Sequence, residues 1–511
     1  MPQYLAILEV SQKQAYIFGS KRLADNAARS EIIRYVTEAL YQACGASKEE
    51  HLVYAGGGHI ILQFSGETAE AAKAKGREVV RRMTWMAYRD YGLELFAKLM
   101  PYDAQKLPGE NVQELIRQLE WKKSLRLSAF HQVDTGLEVE RSEGAVSVPA
   151  GMEDQGAEAD RVYFQREHPI DFHNLADQEG KIAVVHLDGN NMGKKSKEMA
   201  QSQEQDWQSY CQQHRAFSKA VNDAFQAALY ATIERVERAQ SAGELEEAGF
   251  SERDTYHPIR PIIAAGDDIC FVTAGRLGLE CAAYFLRYLN ANSPYTACAG
   301  VVIVSLKYPF HRAYQTSEQL CDSAKKYAAQ LVASGPEGRE YSAIDWHLEF
   351  GQGKKSLSDT REDYIMEDSG SGEDAEHPIH TMTLRPLCVT GQEEGVLSYR
   401  SYAYFINLFR DLRSYSIPRS KIKKLREAIH QGMDETALSI RQNSMTQLGK
   451  KAFDSKHGHS AAAVVKNDGR RDVAYFTEAA EEGKRFYRHS LYFDAIELLD
   501  HITLLEEEGQ A

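Results

Sequence analysis

The sequence predicts an α+β protein in which one strand–turn–strand unit occurs twice, followed by a helical C-terminal region. Residues 264–272 match residues 54–62 position for position, and each segment is preceded by a strand pattern and followed by a helical one. In the tail, apolar residues recur at helical spacing between Tyr402 and Leu412. The first two observations predict a tandem duplication, and the third predicts a separate helical region.

The most informative element is the turn Gly266-Asp267-Asp268, which lies between the apolar runs 261–263 and 269–272. Its two carboxylates are therefore predicted at the tip of a buried β-hairpin. Neighbouring buried carboxylates are costly unless neutralised, and a hard divalent cation such as Mg²⁺ or Mn²⁺ prefers oxygen ligands. The alternative is an exposed β-turn without a ligand.

A second acidic motif follows the strand pattern of residues 181–187, where Asp188 is succeeded by Gly189-Asn190-Asn191-Met192-Gly193 and two lysines. The glycines allow close approach of a ligand to the backbone, whose amides can face phosphate oxygens. The alternative is a strand-to-helix turn in which Asp or Asn caps the helix.

If the strands before these two motifs are neighbours in one sheet, Asp188 converges with Asp267 and Asp268 on one cation. Carboxylates on adjacent strand ends are the two-metal arrangement of nucleotidyl transfer. We therefore predict these three aspartates as the catalytic and metal-binding residues, with Mg²⁺ or Mn²⁺ as cofactor.

In the first copy the turn reads Gly56-Gly57-Gly58, so both aspartates are replaced and no metal can bind there. A degenerate copy beside an acidic copy suggests a pseudo-symmetric pair with substrate at its interface. We predict that the two turns face each other across one nucleotide-sized cleft. The alternative is a chance Gly-rich hairpin.

Together these motifs resemble the palm-bearing large subunit of type III CRISPR effector complexes. The resemblance rests on residues 9–18, 55–58, 188–193, 265–268, 296–304 and 323–326. It implies two ferredoxin-like palm domains of the nucleotide cyclase and polymerase type in tandem, and a helical C-terminal domain. It also implies conversion of ATP, or another nucleoside triphosphate, to a cyclic oligoadenylate-type second messenger in antiviral defence.

The residues expected to bind the nucleotide come from both copies and from one helix. They are Gly56, Gly57, Gly58, Gly189, Asn190, Asn191, Met192, Gly193, Gly266, Lys325 and Lys326. Ala265 replaces the first glycine of the family's Gly-Gly-Asp-Asp turn, which is a mild change.

Three departures from the family pattern limit what the resemblance implies. The chain opens on the first palm strand and contains no His-Asp dipeptide, so DNA cleavage is not expected. The seven cysteines are scattered without a Cys-x-x-Cys pair, so no zinc site is expected. Gln12-Lys13 stands where the family has glycine and an apolar residue, which weakens the transfer of adenine contacts to the first palm.

We predict five consecutive regions. They are a degenerate palm-like domain (1–123), a connector (124–180), a catalytic palm with the Gly-Asp-Asp turn (181–335), a linker with an acidic mobile loop (336–394) and a helical domain (395–511). The helical domain is expected to contact small subunits of the effector complex, whereas core packing is the alternative for its apolar residues.

The composition excludes some classes of function. The net charge of −14 argues against a broad nucleic-acid-binding surface. No apolar run approaches membrane-spanning length, so we expect a cytoplasmic protein without a membrane partner. Partners implied by the resemblance are CRISPR effector subunits and crRNA or target RNA. A standalone palm-domain cyclase and a catalytically silent nucleotide-binding scaffold are the alternatives.

Overall fold

The computed structural model describes most of the chain and confirms the predicted α+β fold. The described residues are 2–20, 22–125, 166–200, 206–336, 338–349, 356–366, 379–389, 400–413, 417–443, 445, 475–478 and 487–505. Structural statements below refer to these residues.

The N-terminal elements form the first copy of the repeat. They are β1 (Tyr4–Val10), α1 (Lys13–Ile17), α2 (Leu23–Glu38), α3 (Leu40–Ala43), α4 (Lys48–His51), β2 (Leu52–Gly56), β3 (His59–Phe64), α5 (Ala69–Tyr91), β4 (Leu95–Pro101) and α6 (Pro108–Ser124).

The second copy and the strand after it occupy the middle of the chain. Their elements are β5 (Lys181–Gly189), α7 (Met192–Ala200), α8 (Trp207–Ser241), β6 (Ile259–Ala265), β7 (Asp268–Ala274), α9 (Gly278–Asn292), β8 (Ala297–Ser305), α10 (Phe310–Ser334) and β9 (Ala343–Glu349).

The C-terminal part mixes short strands with helices. Its elements are α11 (Leu357–Glu362), β10 (Ile365–Met366), β11 (Ile379–Thr381), β12 (Leu387–Cys388), α12 (Tyr402–Arg413), α13 (Arg419–Gln431), α14 (Met433–Gln442), β13 (Tyr475–Glu478), β14 (Tyr487–Ser490) and α15 (Phe493–Glu497).

The sheet topology bears out the internal duplication. The first sheet has the order β2-β3-β1-β4, with β1 antiparallel to both of its neighbours. The second has the order β12-β9-β8-β5-β7-β6, so its last four strands repeat the first arrangement. In both copies the strands and major helices follow each other as β-α-β-β-α-β, the ferredoxin-like pattern.

The chain forms two compact units, each made of several segments of the sequence. The first comprises residues 1–174, 191–230 and 255–271, and the second comprises residues 175–190, 231–254 and 272–511. The predicted boundaries at residues 123, 180, 335 and 394 stay predictions.

Strands β5 and β8 form the best-buried part of the second unit, because both are nearly continuous runs of apolar residues. Helix α10 lies unusually close to β8. A side chain at Gly300 would collide with the carbonyl of Ser317 and the amide of Cys321. The glycine therefore fixes the distance of α10 from the sheet, and α10 carries Lys325.

Residues 343–349, assigned above to a linker, form strand β9 parallel to β8. The strand was hidden because its buried Asp345 interrupts the apolar pattern. Arg361 satisfies this carboxylate with two hydrogen bonds of 2.8 and 2.7 Å. The acidic loop is predicted over residues 359–377. Its first residues belong to the capped helix Leu357–Glu362, and residues 367–377 lie outside the described part.

The apolar residues of the tail belong to the core of the second unit. Tyr402, Phe405 and Phe409 are all buried, and the Phe405 ring lies 5.3 Å from that of Trp346. This is the core-packing alternative for residues 402–412. The tail also contains strands β13 and β14, in addition to the predicted helices.

Candidate active site

The Gly-Asp-Asp turn is a two-residue hairpin loop between β6 and β7, as predicted. Gly266 has a φ of +65°, whereas Asp267 does not have a positive φ. A positive φ at the first loop position alone is the pattern of a type II′ turn, which requires glycine there. Asp267 and Asp268 are both half-buried at the tip.

The equivalent turn of the first copy has a different backbone. Gly56, Gly57 and Gly58 have φ values of +152°, +60° and +83°, which explains three successive glycines. Lys13 donates a hydrogen bond of 2.6 Å to the carbonyl of Gly57, and a side chain at Gly58 would collide with it. The first turn is thus closed by a lysine of its own domain.

Gln12 and Lys13, which depart from the family pattern, lie at the start of α1. Gln12 has a φ of +51°, in the left-handed region that favours glycine. The backbone therefore keeps the shape expected of a glycine, although the side chain is larger. The following Lys13 hydrogen-bonds to the Gly57 carbonyl, a contact that the sequence pattern did not indicate.

The two turns approach one helix within the first compact unit. A side chain at Gly56 would lie 3.8 Å from the Ser218 hydroxyl of α8, and the Gly266 amide donates to Asn222 Oδ1 at 3.3 Å. Ser218 and Asn222 are one helical turn apart. Both turns therefore lie beside the same stretch of α8, and the nucleotide-sized cleft between them stays a prediction.

Tyr54 connects the first turn to the acidic one. Its phenol lies beside Ser218 at the Gly56 turn, and its ring lies 5.0 Å from that of His59. Burial raises the pKa of the Tyr54 phenol, the Ser218 hydroxyl opposes the rise, and the Asp267 carboxylate adds to it. Tyr54 is thus a neutral polar group near the acidic turn.

Asp188 lies near the end of β5 and forms an ion pair with Lys325 of α10. The Lys325 ammonium is 2.5 Å from Asp188 Oδ2 and 3.2 Å from the carbonyl oxygen of Gly189. Burial opposes the charge of Lys325, but Asp188 outweighs it and raises the lysine pKa. The ammonium thus contacts two oxygen atoms at the end of β5.

The segment after Asp188 combines an anchored and an exposed residue. Asn190 is buried, and its amide nitrogen donates to Thr296 Oγ1 at 3.0 Å and to the Tyr341 carbonyl at 2.9 Å. Asn191 has a φ of +58° and is exposed. A side chain at Gly193 would meet no atom within 4 Å, which leaves room beside the first turn of α7.

His186 lies two residues before Asp188 on the buried strand. Its ring meets that of Tyr314 edge to face at 5.5 Å. Burial lowers the pKa of His186, although Asp188 and Glu318 oppose the change. The imidazole is therefore neutral at pH 7.

The donor set suits a hard cation, because the three predicted ligands are carboxylates and Gly189 adds a carbonyl oxygen. In the described residues, however, no group of three or more His, Cys, Asp or Glu side chains is close enough to hold a metal ion. The ammonium of Lys325 lies beside Asp188. Metal binding by the three aspartates therefore stays a prediction.

Residues missed by the sequence analysis are Lys13, Tyr54, Ser218 and Asn222. Only the last two had a usable signal, since polar side chains recur on one face of α8. Lys326, predicted with Lys325 to bind the nucleotide, is exposed.

No helix among the described residues is long and apolar enough to cross a membrane.

Comparison with known proteins identifies the second copy. Residues 181–330 match the family model of Cas10/Cmr2, second palm domain. The match confirms the resemblance to the palm-bearing large subunit of type III CRISPR effector complexes. None of the curated proteins compared with this sequence matches it.

Solved structures extend the likeness in fold. A Csm1–Csm4 cassette in complex with cA4 is 16% identical, with a TM-score of 0.52 over 91% of this chain and 67% of that chain. An apo Csm1–Csm4 cassette is 17% identical, with a TM-score of 0.46 over 67% of this chain and 54% of that chain. The chain thus spans about half the length of the Csm1–Csm4 relative in the apo cassette.

Proposed function

We propose that this chain, with its Cas10-like second palm, is a metal-dependent nucleotidyltransferase that converts ATP into a cyclic oligoadenylate-type second messenger. It would act in antiviral defence as a type III CRISPR large subunit. The observation that carries the proposal is the retention of Asp188, Asp267 and Asp268 in the palm that matches the family, although the duplicate turn has lost both of its acids. A vestigial palm has no reason to keep all three.

The three carboxylates have one task in this proposal. They would hold Mg²⁺ or Mn²⁺, which would neutralise the triphosphate and help to ionise the attacking hydroxyl. Palm nucleotidyltransferases generally use such metals. No covalent nucleophile is needed, since positioning and charge supply most of the rate in phosphoryl transfer.

The nucleotide would contact the glycine-rich segments around these acids. The backbone at Gly189, Asn191, Met192 and Gly193 would supply amides for phosphate oxygens. The Gly266 amide already donates to Asn222 Oδ1, so Gly266 would contribute its lack of a side chain and not its N–H. Asn190 holds its segment in place through its internal hydrogen bonds. In the first copy, Gly56 to Gly58 would line the nucleotide site with backbone only. Lys13 already donates a hydrogen bond to the Gly57 carbonyl in that turn.

The two predicted lysines would have different roles. Lys325 keeps a positive charge beside Asp188 before substrate arrives. The exposed Lys326 is the better candidate for a direct contact with phosphate. Both lie on α10, whose distance from β8 is set by Gly300.

CRISPR effector subunits are the proposed protein partners, because the similar solved structures contain Csm1 with Csm4. crRNA and target RNA are proposed with them. A second candidate is a standalone cyclase. It is favoured by the tail, whose apolar residues are buried within the chain's own second unit rather than presented to a small subunit.

Incubation of the purified full-length protein with each nucleoside triphosphate and Mg²⁺ or Mn²⁺ tests the proposal. Products are separated by chromatography and identified by mass, with and without effector subunits, crRNA and target RNA. We expect cyclic oligoadenylate from ATP, with strong stimulation by the assembled complex and target RNA. Equal activity without RNA or partners would indicate the standalone cyclase, and no product under any condition would indicate the silent scaffold.

A further inference from the structure

One face of helix α8 carries a row of half-buried polar side chains that the proposed chemistry does not use. We name these residues the polar stripe: Arg215, Ser218, Asn222 and Gln226. Their spacing of three, four and four residues places them on one side of the helix. Arg215, Asn222 and Gln226 each hydrogen-bond to one of the two hairpins that carry the glycine-containing turns, and Ser218 lies beside the first turn.

The N-terminal half of the polar stripe holds the first copy. Arg215 donates to the carbonyl oxygens of Leu52 and Val53 on β2. Ser218 lies beside Tyr54 of the same strand, where both hydroxyls face Gly56. Strand β2 leads directly into the Gly56 turn, so α8 is fastened to the base of that turn.

The C-terminal half of the polar stripe holds the acidic hairpin. Asn222 Oδ1 accepts a hydrogen bond of 3.3 Å from the Gly266 amide, and Gln226 Nε2 donates one of 3.0 Å to the Ala264 carbonyl. Both partners are backbone groups in or beside the turn that presents Asp267. The contacts therefore fix the turn itself and not the carboxylates.

We propose that Asn222 is a positioning residue for the Asp267-Asp268 turn, and that the polar stripe anchors this turn to the degenerate first copy. The proposal rests on the proposed function, because it assigns metal binding to these carboxylates. Ligands of a metal must be held to within about 0.5 Å, which requires supporting hydrogen bonds from neighbouring residues. The Asn222 contact supplies such a bond at Gly266, next to the first carboxylate.

In this proposal the degenerate first copy holds the acidic hairpin in place. Its turn lacks the two acids, yet Tyr54 of this copy lies beside Ser218 of the polar stripe and near Asp267. Helix α2 of the first copy also packs against β6. The first copy thus supplies the fixed surface against which the acidic hairpin is held.

The test compares full-length wild type with Asn222→Ala, Asn222→Asp and Gln212→Ala. Asn222→Asp keeps an acceptor oxygen for the Gly266 amide, and Gln212 is an exposed amide on the same helix. Mn²⁺ affinity is measured by electron paramagnetic resonance titration, and backbone exchange at residues 264–268 by hydrogen–deuterium exchange. The double variant Asp267→Ala/Asp268→Ala defines binding at the turn.

We expect Asn222→Ala to weaken Mn²⁺ binding about fivefold or more and to accelerate exchange at the turn, as loss of one hydrogen bond of ordinary strength predicts. Asn222→Asp should restore slow exchange, and Gln212→Ala should match wild type. A purely structural role would instead lower the melting temperature and leave the Mn²⁺ affinity of the folded protein unchanged.

The inference is overturned if Asn222→Ala has the same Mn²⁺ affinity and the same exchange rate at the turn as wild type. It is also overturned if the double aspartate variant binds Mn²⁺ as tightly as wild type does. The result is independent of turnover. If wild type binds Mn²⁺ through the turn but forms no oligoadenylate under any condition, the proposed function fails while the positioning role stands.

Discussion

At the scale of single residues, Lys325 is the group whose position changes the expected chemistry most. Lys325, which the sequence predicts to bind the nucleotide, contacts Asp188 Oδ2 and the Gly189 carbonyl. Its role in nucleotide binding stays a prediction. The ammonium neutralises the carboxylate charge at this strand end. If Asp188 binds the proposed cation, the ammonium must be displaced or must share the carboxylate with it.

Replacing Lys325 by methionine should therefore strengthen Mn²⁺ binding. The change removes a competing and repelling charge but keeps most of the side chain's length. The pair is partly exposed, with relative side-chain exposures of 29% and 40%. The gain should thus correspond to at most about 1 kcal/mol, or up to about fivefold in affinity.

Titration of Mn²⁺ into Lys325→Met, with Lys326→Met as the matched control, measures this effect. The exposed Lys326 should have little influence on the affinity. Weaker binding in Lys325→Met than in the control would show that Lys325 supports the cation instead of competing with it, and would remove the competition model.

At the scale of elements, helix α9 joins the second palm to the C-terminal residues through a buried carboxylate. Glu280 accepts hydrogen bonds from the Tyr402 hydroxyl and, at 3.1 Å, from the Leu505 amide. Burial raises the pKa of Glu280, although Arg287 opposes the rise. The folded protein therefore holds this proton more tightly than the unfolded chain does.

The sign of the resulting pH dependence follows from this difference. Above the ordinary pKa of 4.5 the unfolded chain ionises at Glu280 while the folded state is still protonated. Stability consequently falls as pH rises from that value to the raised pKa. Burial also raises the pKa of Asp494, which contributes a fall in the same direction.

Glu280→Gln should reduce this fall without abolishing it, because Asp494 still titrates. The slope of unfolding free energy against pH should decrease by up to about 1.4 kcal/mol per pH unit inside the window. Urea unfolding between about pH 4 and 8 measures the slope, with the exposed Glu234→Gln as control. An unchanged slope in Glu280→Gln would assign the pH dependence to other groups.

The sequence predicted those elements whose residues follow a simple pattern. Continuous apolar runs predicted β5, β8 and the strands of the acidic hairpin, because such runs are buried in a sheet. The match between residues 54–62 and 264–272 predicted the duplicated order of strands. Strand β9 was missed because the buried Asp345 has a partner, Arg361, distant in sequence. Glu280 was missed for the same reason, since its partners lie more than a hundred residues away.

At the scale of the whole molecule, the duplication is the feature that sequence comparison within the chain predicted best. The repeated strand order of the two sheets confirms it. The contacts by which the first copy holds the acidic turn were harder to predict from the sequence. Contacts such as Asn222 with Gly266 depend on how a long helix is rotated, and the spacing of the polar stripe indicates a face without naming its partner.

The central claim is that the intact acidic turn makes this chain a metal-dependent nucleotidyltransferase. The most direct measurement compares wild type with Asp267→Ala/Asp268→Ala in ATP turnover, under the conditions that activate wild type, with products identified by mass. Circular dichroism melting of both proteins serves as the folding control.

We predict that the double variant loses at least about 100-fold in turnover and melts like wild type, because the two carboxylates lie at a hairpin tip outside the apolar core. Full metal-dependent turnover by the double variant would contradict the account, and so would gross unfolding, which would give the acids a structural role.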